Sequence, residues 1–205
     1  VIYGAISALG QSDLKYVIGY SSVSHMGYVI MGIATLHSLG LSGAVLQMFS
    51  HGIMTALFFA VVGIIYDRTH TRDISVLGGL AKRMGVTAAL FTIAGLTSIG
   101  LPGFSGFVAE LLVFLGLFET YPLLGVLGII GAAITAIYIL RLLGKVFFGP
   151  LDKQWETQTD GSRVEIFSSA ILVGFVILVG LLPFPFLKII DHGVKDTLAI
   201  FIGIG

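Results

Sequence analysis

The 205-residue sequence contains no cysteine, and only 11% of its residues are charged. Without cysteine, the chain cannot form disulfides, ligate an iron–sulfur cluster or build a thiolate metal site. Soluble domains carry about 25% charged residues, so this chain has too few charges to make a water-facing surface. Because 56% of the residues are hydrophobic, the composition predicts an integral membrane protein.

The few charges balance, with 11 Lys and Arg against 11 Asp and Glu. Nucleic-acid-binding domains concentrate positive charge, so we expect no nucleic-acid partner, and lipids are the expected surroundings. We also expect no bound metal. The chain opens inside the apolar run 1–10, which we interpret as the trailing part of a helix in the C-terminal portion of a larger polytopic protein.

Several apolar runs are long enough to cross a bilayer, which takes about 20 residues. After the partial helix, spans are predicted at residues 15–36, 41–66, 123–148 and 164–187. Polar loops occupy residues 67–83 and 149–163, and residues 188–205 form an amphipathic tail.

The run 84–118 is too long for one crossing, at about 52 Å as a single helix. It contains GLPGFSG at 100–106, where Pro102 removes a backbone donor and Gly103 and Gly106 weaken the helix further. We therefore predict a helix broken inside the membrane, a feature tolerated where backbone lines a cavity. The alternative is two short helices joined by an ordinary extramembrane loop.

The basic residues predict the orientation, because cytoplasmic or matrix loops are rich in Lys and Arg. If the loops alternate between the two sides, one side receives only Lys188 and Lys195. The other side receives nine: Lys15, Arg68, Arg72, Lys82, Arg83, Arg141, Lys145, Lys153 and Arg163. We place the second group in the cytoplasm or matrix.

Three ionisable side chains lie deep inside separate apolar segments: His25, His51 and Glu110. Counted from the nearest polar surface, they are about 15, 13 and 13 Å into their helices, close to the middle of a core of about 30 Å. Ionisable groups at this depth usually face a protein interior or a water-filled path and carry ions or protons. These three are the candidate proton-pathway residues.

Each candidate also has a structural alternative. Ser21, Ser22 and Ser24 could satisfy His25 locally, and Gln47 and Ser50 could do the same for His51. A buried carboxylate such as Glu110 is harder to explain without water or a cation.

Three further charged residues are weaker candidates. Asp13 and Lys15 could form a proton entry point or simply mark a helix start at the interface. Arg141, four residues before Lys145, could extend a polar axis or lie at the membrane surface.

Four segments carry a family resemblance: SDLKYVIGYSSVSHMGYVIMGI at 12–33, GAVLQMFSHGIMTALFF at 43–59, YDRTHTRDISVLGGL at 66–80 and GLPGFSGFVAELLV at 100–113. They resemble the antiporter-like proton-pumping subunits of respiratory complex I. Glu110 in GFVAE, where sister subunits carry Lys, is most similar to the subunit M (mitochondrial subunit 4) type. The resemblance covers residues 1–150; the last helix is similar only in hydropathy.

The resemblance implies an all-α polytopic membrane protein containing the second inverted five-helix repeat, with its broken helix, plus a final transmembrane helix. Residues 1–148 would be that second half-channel, 149–163 a cytoplasmic or matrix loop, and 164–205 the last helix and tail. The family's function implies proton translocation coupled to electron transfer from NADH to quinone. His25 and His51 match the central-axis histidines, and Glu110 matches the acidic residue on the broken helix.

The resemblance also implies that this chain binds no cofactor. NADH, FMN, iron–sulfur clusters and quinone would belong to partner subunits, and neighbouring antiporter-like subunits would be its contacts in the bacterial inner membrane, in preference to the mitochondrial one. Two alternatives remain: a subunit of a related cation/proton antiporter or membrane-bound hydrogenase, and a passive membrane scaffold.

Overall fold

The computed structural model describes residues 1–202, and this part of the chain is almost entirely helical. Its α-helices, in order, are α1 (Ile2–Leu9), α2 (Leu14–Ala34), α3 (Ser38–Thr69), α4 (Gly85–Ser98), α5 (Ser105–Thr120), α6 (Pro122–Val146), α7 (Arg163–Leu181) and α8 (Phe184–Ile202). No β-strand occurs in these residues; an isolated antiparallel bridge joins Asp13 to Asp73. The predicted all-α architecture is confirmed.

Within residues 1–202, four helices are long and apolar enough to cross a membrane: α2, α3, α6 and α7. They correspond to the four complete spans predicted from hydropathy. Helix α3 is longer than the predicted 41–66, with 32 residues. At 1.5 Å per residue it is about 48 Å long, so it extends well beyond a hydrocarbon core of about 30 Å.

The predicted break divides the long apolar run into α4 and α5, which lie one after the other along α3. Near the start of α3, Gly43 lies against the backbone of Val113 in α5. Farther along α3, Ser50 hydrogen-bonds Ser105 at the first turn of α5, and beyond that the Phe58 ring meets the ring of Phe91 in α4.

Helices α4 and α5 thus run antiparallel to α3, one after the other. The break between them lies beside the middle of α3. Gly100 and Gly103 within the break adopt positive φ angles of 73° and 99°. A side chain is strained in that region, which explains glycine at both positions. Pro102 lies exposed in the same turn. The broken helix is therefore confirmed, and the ordinary extramembrane loop is wrong.

The end of the last span differs from the prediction. Helix α7 stops at Leu181, not at residue 187, and α8 begins at Phe184 instead of 188. Pro183 stands in the gap, where its ring fixes φ and removes the donor that a continuing helix needs. Helix α8 then folds back against α3, with Ser42 donating a hydrogen bond to Asp191 and the Phe49 ring stacked on a partner in α8. Residues 203–205 of the predicted tail lie outside the described residues.

The loops that carry most of the basic residues meet at one end of the helices. Arg72 pairs with Asp13 at 3.3 Å, and Arg68 makes a two-pronged hydrogen bond to Glu165 at 3.2 and 2.6 Å. The first pair joins the start of α2 to the segment that follows α3. The second pair joins the end of α3 to the start of α7. These contacts gather the predicted cytoplasmic loops on one side, as the charge pattern requires.

Asp160 caps helix α4 from the loop that precedes α7. Its carboxylate accepts hydrogen bonds from the backbone N–H groups of Val86 and Thr87, at 2.8 and 3.2 Å, and from the Thr87 hydroxyl. Partial burial raises the pKa of Asp160, but the hydrogen bonds from Thr87, Gly161 and Val86 outweigh it and leave the pKa below its usual value. The negative charge also complements the positive end of the helix dipole.

Candidate functional site

Three helices bring the predicted titratable residues together in the interior. His25 on α2 and Glu110 on α5 are both buried, and their Nε2 and Oε1 atoms are 3.7 Å apart. His51 on α3 is half-buried, and its ring stacks on that of His25 with centroids 5.5 Å apart and planes inclined by 24°. The three residues placed at one depth by counting helix turns are therefore neighbours in space.

Close backbone packing positions Glu110. A Cβ atom at Gly43 of α3 would lie only 2.6 Å from the backbone nitrogen of Val113, so only glycine allows this approach of the two helices. Glu110 lies about one helical turn before Val113, so this close approach also fixes the position of Glu110 relative to α3. At the break, a Cβ at Gly100 would lie 2.8 Å from Oε2 of Glu110. Glycine there leaves room for the carboxylate to turn inward.

His25 has hydrogen-bond partners for both of its protonation states. Nδ1 lies 2.8 Å from the backbone oxygen of Ser21, and Nε2 lies 3.2 Å from the backbone oxygen of Ser98. A neutral imidazole has one N–H and can donate to one carbonyl only, whereas an imidazolium can donate to both. The hydroxyls of Ser21 and Ser98 lie 3.5 and 3.4 Å from the same two nitrogens, and either can donate to the nitrogen that lacks a proton.

His51 has a different environment from the one its sequence neighbours suggested. Its ring nitrogens lie 3.3 Å from the hydroxyl of Thr55, one turn along α3. Ser50 bonds Ser105 across the helix pair at 2.7 Å, and Gln47 makes no hydrogen bond to the ring. The expectation that Ser50 and Gln47 satisfy His51 is therefore wrong, because the Ser50 hydroxyl is paired with Ser105 on α5 and the ring nitrogens contact Thr55.

Two buried polar atoms near the site have no hydrogen-bond partner among the described residues: Oε1 of Gln47 and Oγ of Ser24. Ser24 was one of the three serines expected to satisfy His25, but only Ser21 does so. Buried polar groups are nearly always satisfied by protein or by ordered water. An ordered water at each of these positions would satisfy the unpaired atom.

Sequence reasoning missed two contributors to the site, Tyr138 and Ser98. The Tyr138 hydroxyl on α6 donates to the Ser21 hydroxyl at 2.7 Å, and Ser98 closes the other side of the His25 ring. Both are uncharged residues in apolar helices and give no signal in a search for titratable groups. The position of Ser98, two residues before the break, was the one available clue.

The weaker candidates lie apart from this cluster. Asp13 caps α2 by accepting a hydrogen bond from the backbone of Lys15 at 2.7 Å, while Lys15 itself is exposed. Arg141 is exposed near the same end of the bundle and donates to the backbone oxygen of Leu9 at 3.3 Å. None of the three contacts His25, His51 or Glu110, so a role in proton movement stays a prediction for them. Within residues 1–202, no group of three or more His, Cys, Asp or Glu side chains has the geometry to hold a metal.

Crossing apolar helices, one of them broken, around a buried histidine–carboxylate pair are typical of membrane proteins that move ions. The family model described as NADH:quinone oxidoreductase/Mrp antiporter, TM, matches residues 1–135. The chain belongs to this family.

Individual relatives agree with that assignment. The chain is 44% identical over 209 residues to the NAD(P)H-quinone oxidoreductase chain 4 of Acaryochloris marina, and 40% identical over 202 residues to the NADH-quinone oxidoreductase subunit M of Rickettsia conorii. These alignments cover 97% and 98% of this chain but 39% and 41% of the relatives. The chain thus spans about two fifths of the length of these relatives.

A solved structure shares the whole fold. The respiratory complex I from Thermus thermophilus with bound NADH contains a chain that superposes with a TM-score of 0.88 at 29% identity, covering 97% of this chain and 42% of that one. The resemblance read from the four sequence segments is confirmed.

Proposed function

We propose that this chain is part of a proton-translocating membrane subunit of a NADH:quinone oxidoreductase, of the subunit M or chain 4 type. The observation that carries the proposal is the buried His25–Glu110 pair at 3.7 Å, beside the break in the α4–α5 helix. In this proposal residues 1–148 form the second half-channel, 149–163 the loop on the positively charged side, and 164–205 the last helix and its tail.

His25 is the relay in the proposed pathway. Its Nδ1 and Nε2 atoms lie on opposite sides of the ring, 3.5 and 3.4 Å from the hydroxyls of Ser21 and Ser98, so a proton accepted on one nitrogen can leave as the proton on the other. Glu110 lies on the Nε2 side and receives that proton. The 3.7 Å separation exceeds a hydrogen bond of about 3 Å, so transfer needs a small approach of the carboxylate or one bridging water.

His51 supplies the entry to this pair from the α3 side. Because the two rings are stacked, their nitrogens do not point at one another, and a water must connect them. Half-burial of His51 allows such a water to reach it, whereas His25 is 1% exposed. Glu110 then releases the proton to the side opposite the basic loops.

The oxidation of NADH by quinone would drive this movement from outside the chain. We propose that NADH, FMN, iron–sulfur clusters and quinone are bound by partner subunits, since this sequence has no cysteine to hold a cluster. The partners would be the other membrane subunits of the complex, including neighbouring antiporter-like subunits, in the cytoplasmic membrane of a bacterium.

The description of the family also names the Mrp antiporters, so a subunit of a cation/proton antiporter is the alternative. The identities of 40 and 44% to oxidoreductase subunits favour the first assignment. Purification separates the two: a complex that carries this chain and reduces quinone with NADH supports the oxidoreductase, and a complex without that activity supports the antiporter.

The test of the pathway is Glu110→Gln in the assembled complex, in inverted membrane vesicles. Glutamine keeps the size of the side chain but cannot exchange a proton. The matched control is Glu119→Gln, on the same helix, where the carboxylate is exposed and pairs with His37 at 2.9 Å. Proton pumping, NADH-to-quinone turnover and the amount of assembled complex are measured together.

We expect Glu110→Gln to assemble and to lose most of its pumping and coupled turnover, while Glu119→Gln stays close to the wild type. Wild-type pumping by Glu110→Gln would make the buried carboxylate a structural group and this part of the chain a passive scaffold.

A further inference from the structure

A cavity of about 150 Å³ opens between α1, α2, α6 and the loop after α3. It lies at the end of the bundle that carries the basic loops. Its polar lining consists of Gln11, Ser12, Ser75, Tyr138, Arg141 and Lys145. A cavity of this volume has room for several waters, and its polar walls give them hydrogen-bond partners.

One wall of the cavity is also in contact with the candidate relay. The Tyr138 side chain lines the cavity, and its hydroxyl donates to the Ser21 hydroxyl at 2.7 Å. The Ser21 hydroxyl lies in turn 3.5 Å from Nδ1 of His25. Tyr138, which borders the cavity, is thus linked to His25 through two hydroxyl groups.

A second buried tyrosine shows what a purely structural hydroxyl does here. Tyr28 also lies beside His25, with ring centroids 6.3 Å apart, but its hydroxyl donates to the backbone oxygen of Gly128 at 2.9 Å. A carbonyl oxygen accepts a hydrogen bond and cannot pass a proton on, so the path ends there. The Ser21 hydroxyl that Tyr138 meets is both acceptor and donor and can continue the path.

We propose that Tyr138 and Ser21 form a hydroxyl relay that connects the cavity on the basic-loop side to His25. This inference rests on the proposed function and adds to it the route by which water on the basic-loop side supplies protons to His25. It assigns Tyr138 and Ser21 roles in proton transfer and the cavity a role as a water reservoir.

The proton balance of the relay is simple. A hydronium in the cavity gives a proton to the Tyr138 oxygen, and Tyr138 passes its own hydroxyl proton to the Ser21 oxygen. Ser21 passes its own proton to Nδ1 of His25, and His25 releases the proton on Nε2 to the Glu110 carboxylate. Both hydroxyls end with one proton each, His25 ends neutral, and rotation of the two hydroxyls and tautomer exchange restore the starting arrangement.

Two pairs of variants in the assembled complex test the relay. Tyr138→Phe removes the first hydroxyl, and Tyr28→Phe is its matched control, a buried tyrosine that also lies beside His25. Ser21→Ala removes the second hydroxyl, and Ser21→Thr keeps a hydroxyl at the same position. Pumping is measured per assembled complex, so that a loss of stability alone does not register.

Positioned proton-transfer groups contribute large factors, and we expect Tyr138→Phe and Ser21→Ala to lower pumping at least roughly tenfold. Tyr28→Phe should stay near the wild type, and Ser21→Thr, which keeps the hydroxyl, should retain more pumping than Ser21→Ala. If Tyr138→Phe and Ser21→Ala both pump at near-wild-type rates while Glu110→Gln does not, the relay is wrong and the proposed function still stands. A fully active Glu110→Gln would remove the proposed function and the relay with it.

Access to the cavity can be measured separately, because residues 1–205 contain no cysteine and a single one can be introduced there. Ala8 and Ala5 are both buried on the same helix, but of the two only Ala8 lines the cavity. A small membrane-impermeant thiol reagent added from the basic-loop side should label Ala8→Cys and spare Ala5→Cys. An unlabelled Ala8→Cys, or equal labelling of the two, would contradict the entry of water on this side.

Discussion

Replacing Gly43 by alanine should separate the helices that hold the two halves of the site. The new Cβ would lie 2.6 Å from the backbone nitrogen of Val113 and 2.9 Å from Cβ of Leu112. Favourable contacts between such atoms are about 3.5–4.0 Å, so α5 must retreat by about 1 Å. Glu110, one turn before Val113, would move with it, and its 3.7 Å distance from His25 would increase.

Two measurements check this reasoning. Overpacking of this kind costs about 1–3 kcal/mol, which should appear as a lower thermal-unfolding midpoint of the purified complex. A displacement of about 1 Å at a reacting pair can cost about a hundredfold in rate, so coupled proton pumping should fall steeply.

The control for Gly43→Ala is Gly63→Ala on the same helix, where a Cβ would meet nothing within 4 Å among the described residues. This substitution should leave both the midpoint and the pumping rate unchanged or slightly improved, since alanine favours helix. Unchanged pumping in Gly43→Ala would refute the argument that close packing of α3 and α5 sets the His25–Glu110 distance.

Two further substitutions test the helix break and a helix cap. Gly100→Ala should lower stability by roughly 1–2 kcal/mol and also impair pumping, because its methyl group strains a φ of 73° and would lie 2.8 Å from the Glu110 carboxylate. Gly103→Ala strains the backbone but meets no neighbour, so it should lower the unfolding midpoint and spare pumping; equal pumping in the two variants would contradict this. Asp160→Ala removes the cap of α4 and should cost about 1 kcal/mol near neutral pH, with the exposed Glu156→Ala as control. Because the folded pKa of Asp160 lies below 3.8, this contribution is present above that pH and should be lost as the pH falls through the lower folded value.

Hydropathy and helix geometry were sufficient to predict the spans, the break and the common depth of the three titratable groups. They succeeded because a bilayer fixes the length of a span and penalises buried charge. The end of the last span was misplaced because residues 182–187 are apolar enough to extend it, and hydropathy does not register the donor that Pro183 removes.

The contacts that complete the site could not be predicted in the same way. Tyr138 is 117 residues from Ser21, and Ser98 is 73 residues from His25. Only the packing of α6 and of the α4 end against α2 brings them together. A search restricted to ionisable groups also passes over hydroxyls and backbone oxygens, although these are what satisfies the His25 ring.

The two carbonyl oxygens beside His25 have a kinetic consequence. Because partners for the neutral and the protonated ring are already in place, gaining or losing a proton requires no rearrangement of the surrounding dipoles beyond the turning of a hydroxyl. In the proposed pathway, the ring would therefore have a low reorganisation barrier and would not act as the gate. Timing would come from the carboxylate and the glycine-rich break beside it, where a small movement of one side chain would make or break the connection.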